Sequence, residues 1–150
     1  MKKRIRKSTE NNWDEGLSER SVYLETLASK AFNEKHYHES AVIYFQTLEF
    51  SLRLVVHFLG LRAGISKSAL ERMEIERSFF HLILYFDLLD PDNGLSERLL
   101  KFINQRNDLI HKLYFSETNK LLEAYLIDFC LEAKDLIQNL LKEIAPGKEI

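Results

Sequence analysis

Residues 37–59 read YHESAVIYFQTLEFSLRLVVHFL, and the spacing within this stretch decides the fold. Ala41, Tyr44, Phe45, Leu48, Leu52, Val55 and Leu59 recur at three- and four-residue intervals, which places them on one side of a helix. A half-buried strand would alternate apolar and polar residues instead. Gly60 follows directly and predicts the end of this helix.

The same reading extends in both directions. A helix is expected over about Leu17–Asn33, with Leu24, Leu27, Ala28, Ala31 and Phe32 on one face. Ser68 and Glu71 suit a capping box that opens a third helix reaching about Leu89. The turn DPDNG (90–94) separates it from a fourth helix, about Ser96–Phe115. A fifth fills about Asn119–Ile144, with Leu122, Tyr125, Phe129, Ala133, Leu136, Leu140 and Ile144 in its stripe. Helices of about 20 residues are some 30 Å long, and short loops between them favour antiparallel neighbours. The expected fold class is all-α: an up-and-down bundle of four long helices plus one additional or broken helix. The bundle is expected over 17–145, between a flexible basic arm (1–16) and a short tail (146–150).

With 150 residues the chain suits one domain, and folding buries roughly 70% of its unfolded surface. A formal charge of −2 argues against a protein coated all over by nucleic acid but leaves room for a local basic cleft. Cys130 is the single cysteine, which excludes an intrachain disulfide and a thiolate metal cluster. No uninterrupted apolar run approaches the ~20 residues that span a bilayer. The opening MKKRIRKSTENN is basic without a following apolar segment, unlike a secretory signal. A soluble cytoplasmic protein is expected. Lys2, Lys3, Arg4, Arg6 and Lys7 suit either a solvated tail or contacts to RNA phosphates.

One stretch departs from this pattern. Residues 103–114 read INQRNDLIHKLY. Leu99, Ile103, Arg106, Ile110 and Leu113 follow the four-three-four-three spacing of an inward seam, so a guanidinium stands where a bundle expects an apolar side chain. Beside it runs a polar row, Asn104, Asn107, His111 and Tyr114. A buried guanidinium needs a partner or an interface. Glu49 on the second helix suits an ion pair with Arg106, although Arg53, four residues from Glu49, competes for it. A structural ion pair and a functional site both fit the residues alone.

RNDLIH (106–111) resembles the R-x4-6-H signature of the HEPN domain family, including the asparagine often found after the arginine. Its place in a late helix of a small all-α chain matches too. The earlier AFNEKHYHESAVIYFQTLEFSLR (31–53) is similar to the front helix hairpin of that family. The resemblance spans about Leu17–Ile144. It implies a four-to-five-helix bundle that homodimerises and, in catalytic members, a metal-independent endoribonuclease, often the toxin of a toxin–antitoxin pair with a nucleotidyltransferase-type antitoxin. It assigns catalysis to Arg106 and His111, with Asn107 beside them; Asn104, Tyr114 and Glu49 are supporting candidates. Some such toxins carry a tyrosine two residues after the histidine. Here that position is Leu113, and Tyr114 comes one later. No metal or cofactor is expected. The same fold also serves non-catalytic binding or assembly modules, which is the alternative reading.

Other candidates carry less. His36 and His38 form an H-x-H pair in an interhelix turn without a spaced third ligand. His57 and His81 sit in apolar runs and are expected at core or boundary positions. Glu71, Glu74 and Glu76, interleaved with Arg72 and Arg77, suit a solvated helix face. There is no phosphate-binding glycine loop or nucleophile elbow. A tetratricopeptide reading of residues 31–48 fails because the pattern does not recur at about 34 residues.

Overall fold

A computed structural model describes the backbone of residues 2–76, 78–114 and 119–144; side chains are described from residue 19 onward within those spans, apart from 74–76 and 112–114. Every regular element among the described residues is an α-helix: α1 (Lys2–Asn33), α2 (Tyr37–Arg62), α3 (Lys67–Glu76), α4 (Phe79–Leu89), α5 (Ser96–Tyr114) and α6 (Asn119–Lys142). α2 is the central post, packed against α1, α3, α4 and α6, while α5 lies between α4 and α6. This is the expected all-α bundle.

The core forms where the apolar rows of these helices meet. Leu48, Leu52, Val55 and Val56 from α2, Phe86 from α4, Phe102 from α5 and Leu136, Ile137 and Leu140 from α6 are all fully buried. Cys130 joins them, and burial pushes its thiol pKa up, so it is an unreactive core residue. α1 is held against α2 by small polar side chains. Ser40 Oγ donates to the Ala28 carbonyl at 2.8 Å, and the Ser21 and Ser51 hydroxyls lie 3.1 Å apart. α2 alone is long and apolar enough to cross a membrane among the described residues, but 56% of its apolar window is buried inside the bundle.

Four expectations need correction. The third helix is broken: α3 ends at Glu76 and α4 restarts at Phe79, with Ser78 as N-cap accepting from the His81 amide. A serine competes with the helical backbone for hydrogen bonds and so favours such a restart. The cap of α3 is Ser66, which accepts from the Ala69 amide at 3.2 Å; Ser68 lies inside the helix. The boundary placed at residue 16 is not marked by a break, since α1 runs through it from Lys2. The side chains of the basic arm lie outside those described.

The fourth correction is Gly60. α2 continues past it to Arg62 and ends in a Schellman turn, where Gly64 at φ +88° donates to Leu61 and Ile65 donates to the Gly60 carbonyl at 2.9 Å. Gly60 instead lets α3 approach: a Cβ there would collide with the side chain of Leu70, which is fully buried. Gly60→Val is therefore expected to destabilise the fold by about 1–3 kcal/mol through overpacking. A shift of the urea midpoint without change in slope checks this.

Candidate functional site

Four aromatic rings connect α4, α2, α5 and α6 through the core. Phe79 stacks on Phe45 at 5.3 Å, Phe45 faces Phe102 at 6.2 Å, and Phe102 stacks on Phe129 at 4.4 Å. Arg106 rests on this column, its Cζ 4.7 Å from the Phe45 ring centroid. The ring face attracts the cation, and the aliphatic stem covers apolar surface.

The ion pair with Glu49 does not form. Glu49 Oε1 accepts from Arg53 Nη2 at 3.0 Å, the local partner one turn along α2. Arg106 Nη2 donates to Asn107 Oδ1 at 3.0 Å, and its buried Nε has no hydrogen-bond partner. Among the described residues Arg106 has no carboxylate partner. Its guanidinium is thus half-buried and positioned on one edge by Asn107, with no neutralising carboxylate among the described residues. Such a group suits an anion at its exposed edge, while the buried Nε is not open to one.

The inner face of α5 is rotated from the expected seam. Leu99, Phe102 and Leu109 are buried, Ile103 is half-buried, and Ile110 is 45% exposed. Arg106 stays on the inner line, where Phe102 and Leu109 replace Ile103 and Ile110. Asn104, Asn107 and His111 are exposed, as a polar row on the outer flank requires. Tyr114 ends α5, but its side chain and that of Leu113 lie outside those described.

Arg106 and His111, five residues apart, leave the α5 backbone about 140° apart. The Arg106 guanidinium nonetheless reaches Asn107, which shares the exposed polar row with His111.

A concavity lies on the opposite flank of α5, between it and α6. It encloses about 380 Å³ and is lined by Gln105, Asp108, Leu109, Tyr125, Asp128, Phe129 and Glu132. Its three carboxylates disfavour phosphate. Glu132 and Asp135 hold Arg98 at 3.0 and 2.7 Å, and hydrogen bonding to Asp135 raises the Arg98 pKa against the opposing effect of burial. The sequence reading missed this cleft, because each carboxylate alone looks like ordinary solvated helix surface.

The remaining histidines divide. His36 lies within 3.9 Å of Glu34 and 3.8 Å of Glu39 in an exposed turn. His57 is buried against Phe58. His81 departs from the expected core or boundary position: it is exposed in the first turn of α4, with Nδ1 2.8 Å from Ser78 Oγ. No group of three His, Cys, Asp or Glu side chains among the described residues is arranged to hold a metal ion.

None of the protein families, curated proteins or solved structures compared with the chain matches it.

Proposed function

We propose that the chain is a metal-independent endoribonuclease of the HEPN type that works as a homodimer. One observation carries this reading: Arg106 is held over Phe45 and Asn107 with no carboxylate partner among the described residues. A guanidinium kept only for stability would be better served by Glu49, which spends itself on Arg53.

The chemistry follows from these groups. RNA carries its own nucleophile, the 2′-oxygen, which attacks the adjacent phosphorus and expels the 5′-oxygen. The bond formed closes a 2′,3′-cyclic phosphate, and the proton lost by the 2′-hydroxyl balances the one gained by the leaving oxygen. His111, an imidazole that can both accept and donate a proton, suits this proton traffic. Arg106 stabilises charge building on the phosphoryl oxygens. Asn107 orients the guanidinium. As the resemblance of RNDLIH implies, the catalytic set combines groups from two copies around a two-fold axis. Asn104 and Tyr114 are supporting positions at its edge; Glu49 no longer belongs to the set. A toxin role with a nucleotidyltransferase-type antitoxin as partner rests on the resemblance of RNDLIH alone.

The packing of Arg106 on Phe45 also favours a second reading, a non-catalytic module that holds a nucleotide or RNA phosphate. The two readings separate cleanly. The ribonuclease is expected to cut single-stranded RNA in EDTA while leaving DNA of the same sequence intact, as seen on denaturing gels. Tight RNA binding without cutting assigns the binding module.

A further inference from the structure

The seam between α5 and α6 changes character along its length. Arg98 of α5 spans it, its Nη2 donating to Glu132 Oε1 at 3.0 Å and to Asp135 Oδ2 at 2.7 Å on α6. Phe102 then stacks on Phe129 at 4.4 Å, so the two helices run antiparallel. Next to these contacts lies the concavity of about 380 Å³. Gln105 follows Arg98 by two turns on the same face of α5 and lines it. A neutral amide thus stands where the seam repeats, at the level of Tyr125 and Asp128. Asp108 and Asp128 make no ion pair among the described residues.

The lining narrows what this cleft can take. Asp108, Asp128 and Glu132 bring three carboxylates, and no Lys or Arg lines it among the described residues. Apolar surface lies between them: Leu109 and Phe129 are buried at the floor, and Tyr125 is 37% exposed. A cation on an apolar stem suits such a cleft, since its charge meets carboxylates while its methylenes and flat face lie on rings. Carboxylates offered from two helices match a planar fork better than a compact ammonium. The chain itself shows that choice. Arg98 already seats a guanidinium in this seam, and Glu132 belongs both to its contacts and to the cleft.

We propose that the cleft between α5 and α6 binds an arginine side chain presented by a basic polypeptide. Its guanidinium lies between Asp108 and Asp128, and its stem rests on Phe129 and Tyr125. The surface continues out of the cleft along α6: Leu121, 47% exposed, stands one turn before Tyr125 on the same face. That gives the residues beside the arginine an apolar place to rest, which a free small cation would leave unused. The negative lining repels nucleic-acid strands and anionic lipid surfaces. The inference goes beyond the ribonuclease reading and does not rest on it, because Arg106 and the cleft occupy opposite flanks of α5.

Calorimetric titration of the full chain with an end-blocked hexapeptide of alternating arginine and glycine tests this. The wild type is expected to bind it saturably at low ionic strength, and added salt is expected to weaken binding. Asp108→Asn combined with Asp128→Asn is expected to weaken it by about tenfold or more. Both side chains are exposed, so helical circular dichroism is expected to stay unchanged. Asp87→Asn combined with Asp92→Asn removes the same charge from exposed positions outside the cleft and is expected to bind like the wild type. The same peptide with citrulline in place of arginine keeps the shape, loses the charge and is expected not to bind. No saturable binding by the wild type overturns the proposal, as does equal binding by the cleft variant, an equal loss in the control variant, or equal binding of the citrulline peptide. Free agmatine bound as tightly as the hexapeptide assigns the cleft to a small cation and overturns the polypeptide source. None of these outcomes involves RNA, so failure of the ribonuclease reading and failure of this one are seen separately.

Discussion

His111→Ala is expected to lower RNA cleavage by about 10²–10⁴-fold, the usual contribution of a positioned general acid or base. The large effect on chemistry should come with a small one on the fold. His111 is exposed on the outer flank of α5, away from the buried row Leu99, Phe102 and Leu109. Surface replacements of this kind usually change stability by no more than ~0.5 kcal/mol. Cleavage rates at saturating RNA, measured beside a urea melt of the same preparation, check both halves. If the variant melts like the wild type and cuts RNA at the same rate, His111 moves no proton and the activity lies elsewhere.

Arg106 offers a sharper test, because the structural and catalytic accounts predict opposite things for one variant. Arg106→Met keeps an unbranched side chain over Phe45 and removes both the charge and the buried unsatisfied Nε. If the residue served only packing, the variant would behave like the wild type; if it were held in an ion pair, losing it would destabilise by about 3–5 kcal/mol. With Arg106 stacked on Phe45 and lacking a carboxylate partner among the described residues, stability is expected to change by less than about 1 kcal/mol. Cleavage is expected to fall by about 10²–10³-fold with the loss of phosphate stabilisation. Arg106→Lys restores the charge but not the planar fork, so it is expected to recover only part of the rate. Full activity in Arg106→Met would remove the guanidinium from the mechanism.

The bundle was legible because helical spacing repeats over long segments, and α2 shows this best. What escaped the sequence was local geometry. Gly60 sits where a stop signal would stand, and only the approach of Leu70 reveals that it serves packing; Gly64, four residues on, makes the turn. Residues 68–89 carry apolar residues throughout, so periodicity gave no reason to break them, and Ser78 acts as a cap only once α4 turns. On α5 two apolar rows compete, one through Ile103 and Ile110 and one through Phe102 and Leu109. Stacking of Phe102 on Phe129 decides for the second.

The candidate site was legible in part. Arg106 stands out because an apolar seam position holds a charge, and no choice between the two rows removes it from the inner line. Its true neighbour did not stand out. Glu49 is the chemically obvious partner, yet an arginine one turn away on its own helix claims it, and an aromatic ring takes its place under Arg106. Phe45 belongs to the α2 stripe in any reading, but nothing in that stripe indicates which charged group it will meet.

The most direct measurement is end-group analysis of RNA treated with the wild-type protein in EDTA. The account predicts fragments that end in 2′,3′-cyclic phosphate and begin with a 5′-hydroxyl, the two ends left by 2′-oxygen attack. Fragments with 5′-phosphate and 3′-hydroxyl ends, or RNA left intact by a correctly folded dimer, would contradict it.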